Sequence, residues 1–150
     1  MKGMANITMA TADPTRQGSN VQQTLLREKY PILVSEIGKN ETACKSGEDV
    51  AAYFKAKIAE NPKAQFIGAF DHYAHTRNIG GEIAPDIQAA VDVMFCFGFA
   101  LPNPQVLAVR PRSIGVADLG DKFVVSFMEA PMKPANEAME AWVKGLRSRA

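Results

Sequence analysis

The sequence predicts an α+β fold: a two-layer sandwich built on a mainly antiparallel sheet, with helices on one face. Three observations carry this. Runs that alternate apolar and other residues follow one another in the second half of the chain with short connections, as antiparallel neighbours do. Two segments repeat apolar residues at helical spacing, one through Val50, Phe54 and Ile58 and one through Met139, Trp142, Val143 and Leu146. At 150 residues and 47% hydrophobic, the chain suits one domain able to bury a core without disulfides or a structural metal.

Residues 1 to 18 have no sustained period and read as a disordered tail, leaving residues 19 to 150 as a single α+β domain. Ser19 and Gln22 fit a capping box, so Val21, Leu25 and Leu26 read as a short amphipathic helix stopped by Tyr30-Pro31. Ile32 to Ile37 is a strand. Ser46 caps a second helix, whose first turn holds Glu48 and Asp49 and whose end is Asn61-Pro62. Gln65 to Tyr73 reads as a strand, Thr76 to Ile83 as a loop around Gly80-Gly81, and Asp86 to Ala90 as a brief helix after Pro85. From Val91 to Leu101 the odd positions are Val91, Val93, Phe95, Phe97, Phe99 and Leu101, which makes a strand. Val106 to Val109 is a further sheet candidate. Ser113 to Leu119 and Lys122 to Met128 flank Gly120-Asp121, a connection of tight-hairpin type. The last helix docks by the face bearing Trp142.

Charge and cysteine usage exclude several function classes. With 17 basic and 16 acidic residues the net charge is +1, so no long-range field draws nucleic acid or an anionic membrane. The longest apolar run, Val93 to Leu101, is too short to span a bilayer, and no apolar core follows Met1-Lys2-Gly3-Met4 to make a secretory leader. Cys44 and Cys96 fit neither a zinc-ligand spacing nor a dense disulfide framework, so they read as free thiols in a reducing, cytoplasmic compartment. Gly80-Gly81-Glu82 has neither nucleotide-loop pattern, and Ser35, Ser113 and Ser126 lack a nucleophile-elbow context.

The strands alternate poorly for a sheet with one wet face. Opposite the phenylalanines of the strand from Val91 stand Met94, Cys96, Gly98 and Ala100, and the terminal hairpin sets Val124 and Met128 opposite Phe123, Val125 and Phe127. In order of preference, the N-terminal helix folding back, a second copy of the chain or an apolar ligand covers this face.

The only histidines, His72 and His75, share the stretch Phe70-Asp71-His72-Tyr73-Ala74-His75-Thr76-Arg77. On a continuous strand their separation of three sends them to opposite faces, while Asp71, Tyr73 and His75 share one. His72, in parity with Phe66 and Phe70, then reads as a buried structural histidine. Asp71, Tyr73 and His75 are the catalytic candidates, an oriented base with a phenol beside it, against the plainer reading of a polar strand end. A metal site on His72 and His75 needs the chain to bend after Tyr73 and a third ligand from Glu82, Asp86 or Cys96. Arg110 and Arg112, at i and i+2, are ligand-binding candidates as an anion clamp, and equally suit charges guarding an edge strand beside Pro111.

The segments Phe70 to Thr76, Leu107-Ala108-Val109-Arg110-Pro111-Arg112-Ser113-Ile114-Gly115 and Lys122-Phe123-Val124-Val125-Ser126-Phe127 resemble an uncharacterised family of small bacterial proteins, a domain of unknown function, over about Gln23 to Leu146. The resemblance implies a bacterial, cytoplasmic, single-domain protein and carries no activity, cofactor or site. The expectation is a small binding or accessory protein, a homodimer or a binder of a small organic ligand on the apolar sheet face, without nucleic-acid or membrane partners. Its alternative is an enzyme or metal-binding protein using Asp71, Tyr73 and His75 with the arginine clamp.

Overall fold

Strand alternation and one tight turn organise the molecule. The computed structural model describes residues 8–9 and 21–147. Gly120, with φ at +97°, turns β6 (Arg112–Asp118) into β7 (Lys122–Met128), the hairpin the sequence predicts. The other strands are β1 (Thr8–Met9), β2 (Gln22–Leu26), β3 (Tyr30–Gly38), β4 (Ala64–Asp71) and β5 (Ala89–Phe97), and the helices are α1 (Gly47–Glu60), α2 (His72–Asn78) and α3 (Lys133–Lys144). All pairings are antiparallel, in the order β1-β2-β3-β7-β6-β5-β4: six full strands with the two-residue β1 at one edge. The fold is α+β, with α1 and α3 on one face.

That face holds the core. Leu33 and Ile37 of β3, Phe123 and Val125 of β7, Ile114 of β6 and Val93 and Phe95 of β5 are buried against Val50, Phe54 and Ile58 of α1 and Met139 and Val143 of α3. Trp142 meets Phe95 edge to face at 5.5 Å, and its carbonyl accepts a 2.6 Å hydrogen bond from the Tyr53 hydroxyl, tying the helices together. Burying each large apolar side chain contributes about 1.5–3 kcal/mol. Ser46 caps α1 as expected, accepting from the Asp49 N–H at 3.1 Å. The buried Asn136 holds the approach to α3 through two bonds with the Ala130 backbone, at 2.7 and 2.8 Å.

Several local expectations are overturned. Val21 to Leu26 is not a helix: Gln22–Leu26 pairs with β3, through a turn that holds Arg27 and Glu28 at φ of 54° and 62°. Sheet pairing overrides the local capping pattern, and among the described residues no N-terminal helix folds over the open face; Ser19 and all of the expected tail except Thr8–Met9 lie outside the described residues. Asp86 to Ala90 forms no helix, because β5 already begins at Ala89. β5 stops at Phe97, leaving Phe99 and Leu101 outside the sheet and exposed. Val106 to Val109 lies in a 3₁₀ helix, Pro104–Val109, capped by Asn103 at 3.0 Å from the Val106 N–H. Among the described residues no helix is long and apolar enough to cross a membrane.

Candidate functional site

The histidine stretch is shaped by a β-bulge. Phe66 pairs with Phe95, but the next pair is Gly68 with Met94, so Ile67 is an extra residue that reverses the parity of the strand. Phe70 therefore pairs with Asp92 on the open face, instead of sharing the core face with Phe66. The strand ends at Asp71, whose carboxylate accepts from the Ala74 N–H at 2.9 Å and caps α2. The chain bends two residues earlier than a histidine pair was expected to need.

On that helical turn, positions three apart come together and positions two apart separate. His72 and His75 both pack against the Phe70 ring, with centroids at 4.7 and 5.4 Å. His72 Nε2 lies 2.5 Å from Asp92 Oδ2; a carboxylate only accepts, so Nε2 donates and Nδ1 is the nitrogen left for other work. Gly115, opposite Asp92 on β6, makes room: a Cβ there would come within 3.1 Å of Asp92 Oδ1. His72 is thus exposed and paired with a carboxylate, and the buried structural histidine is corrected.

The trio expected to share a face is dispersed. Asp71 is a helix cap, Tyr73 lies under the Arg77 guanidinium at 5.7 Å, and His75 stands beside His72. Glu82, Asp86 and Cys96 complete no ligand set around His72 and His75: among the described residues no three His, Cys, Asp or Glu side chains are grouped to hold a metal ion. The residue missed in the sequence is Asp92. Its signal was there, as the single charge in the run Ala89 to Leu101.

The two arginines belong elsewhere. Arg112 lies on β6, an interior strand paired with β5 and β7, so the edge-guarding reading fails for it. It pairs with Phe95 on the helix-covered side, and with Arg110 it lines a cavity of about 150 Å³ walled by Phe97, Val106, Val109, Met132 and Ala135. Arg112 Nη1 and Nη2 donate to the carbonyls of Val109 and Met128 at 3.1 and 2.6 Å, while its Nε–H is buried with no acceptor. Burial lowers its pKa below the ordinary arginine value. Arg110 Nη1 donates to the Ala100 carbonyl at 2.8 Å. Its Nη2 stands 2.8 Å from where a Cβ on Gly98 would be, and Gly98 also has a φ of +122° that favours glycine. None of Asp71, Tyr73 or His75 lines this cavity, so base and clamp do not converge.

Of the cysteines, Cys44 is held protonated by burial, which raises its pKa, so it is a poor nucleophile. A search of curated proteins finds no match to the chain. The profile of a family of unknown function, DUF6858, matches residues 21–148, and the chain belongs to that family.

Proposed function

We propose that the protein is a small-ligand-binding protein whose site is the cavity beneath the segment Gly98 to Val109, in place of the open sheet face. The observation that carries the reading is an apolar recess of about 150 Å³ whose lining residues include Arg110 and Arg112, hydrocarbon walls with a few polar groups at hand being the usual make-up of a small-molecule site. Two free cysteines support a cytoplasmic setting. The test is a titration of the full chain with benzyl alcohol and with benzoate, followed by amide NMR. Shifts are expected at Val106, Val109 and Met132, and Val106→Trp, at a half-buried position, should abolish them. Absence of shifts with both compounds would refute the reading.

The open face supports self-association as a homodimer. Phe70 and Met128 are 40% and 47% exposed there, beside the half-buried Ile32, Val34, Met94 and Val124. Light scattering that finds only monomer would exclude it. The enzyme reading is favoured by a single observation, the Asp92-oriented imidazole of His72. If His72 acts as a general base, His72→Gln should remove hydrolysis of p-nitrophenyl acetate and His75→Gln should not.

A further inference from the structure

We infer that the cavity selects a monocarboxylate whose apolar body is about the size of one six-membered ring, with the carboxylate held by Arg112 and Arg110. This rests on the reading of the cavity as a ligand site. The first argument is charge. From Gly98 to Ser113 the chain has no acidic residue, and among the described residues neither guanidinium forms an ion pair with a carboxylate. Arginine does not shed its proton at any ordinary pH, so two cations stand at an apolar recess with only neutral carbonyls as partners.

The second argument is the inventory of donors. Arg112 has five N–H groups and is bonded through Nη1 and Nη2 to two carbonyls, yet its Nε–H is buried without an acceptor. That Nε–H is closed off from the cavity, so the donors Arg112 has left for an anion are the second hydrogens of Nη1 and Nη2. Arg110 is bonded to Ala100 through Nη1 and has donors to spare. Glycine at position 98 lets its guanidinium lie where a side chain would otherwise stand.

The class of anion follows from the remaining walls. Phe97, Val106, Val109, Met132 and Ala135 offer no polar side chain. Two guanidiniums serve the two oxygens of a carboxylate, whereas a phosphate or sulfate would leave further oxygens against hydrocarbon. A recess of about 150 Å³ is of the size that accepts benzene.

Isothermal titration of the full chain with benzoate, benzyl alcohol, phenyl phosphate and inorganic phosphate tests this. Benzoate should bind about ten- to a hundredfold more tightly than benzyl alcohol, the range for a charge-assisted hydrogen bond. Arg112→Met should bring benzoate down to the level of benzyl alcohol while leaving benzyl alcohol unchanged, a split that loss of structure would not give. Because Arg112 also ties Val109 to Met128, Arg110→Met and Gly98→Ala provide second variants, each expected to weaken benzoate selectively. Equal binding of benzoate and benzyl alcohol would overturn carboxylate selection and leave the cavity reading standing. Tighter binding of phenyl phosphate or inorganic phosphate than of benzoate would overturn it in favour of a phosphate ligand. Binding of none of the four would overturn the cavity reading itself.

Discussion

Replacing Tyr53 by phenylalanine removes one oxygen from the seam between α1 and α3. The hydroxyl donates to the Trp142 carbonyl at 2.6 Å, and losing that bond should cost about 1–2 kcal/mol at neutral pH. The structure also fixes how this cost varies with pH. Burial, helped by the negative charges that Cys44 and Glu60 can carry, pushes the phenol from its ordinary value of 10.0 up to about 12. A phenol that holds its proton more tightly when folded contributes stability that is complete below about pH 10 and is lost as pH rises through about 12. Two units would be about 2.7 kcal/mol in a dry site, but the side chain is only partly buried, and solvent screening reduces this to about 1 kcal/mol. Urea unfolding followed by the fluorescence of the single tryptophan, Trp142, should show wild type above Tyr53→Phe by a margin that narrows above about pH 10. Phenolate absorbance should show one of the three tyrosines titrating late. A constant margin across the alkaline range, or three tyrosines ionising together, would refute the reasoning.

Other substitutions probe the elements around the two sites. Asn136→Ala strands the N–H and carbonyl of Ala130 and should lower stability by about 2–4 kcal/mol, measured by chemical denaturation. Asp71→Ala should loosen α2 by about 1 kcal/mol, seen as faster amide hydrogen exchange at Ala74, while Asp71→Ser largely preserves protection; if Ser fails like Ala, capping is not its role. Gly115→Ala crowds Asp92 Oδ1 and should weaken the bond to His72, so that the imidazole Nε2 proton exchanges faster by NMR.

The elements legible in the sequence were those whose local signals agree with their tertiary setting. Ser46 begins a helix with apolar residues every four positions, Gly120 sits where a hairpin needs positive φ, and Trp142 lies on a single apolar stripe. Gln22–Leu26 was misread because a local capping pattern competed with pairing to Ile32 and its neighbours, which no short window displays. The bulge was invisible for a related reason: Ile67 fits a strand as well as any neighbour, and only the register against Met94 and Phe95 shows it to be extra. One error therefore misplaced Phe70 and His72. The arginine pair was visible as a pair, but its cavity depends on Phe97, Met132 and Ala135, which come from other parts of the chain.

Ile67 thus works as a frame-shift in the side-chain pattern. Were Ile67 paired as an ordinary strand residue, Phe70 would fall in step with Phe66 and turn toward the helices, and the face holding Asp92 would lose its aromatic ring. Deleting Ile67 would regularise the ladder and keep Phe70 opposite Asp92, whereas drawing Ile67 into the ladder as a paired residue would reassign the side of the sheet that Phe70 serves with no change of composition. In this chain the one bulge in β4 is as much a determinant of the surface around Asp92 as the identities of the histidines.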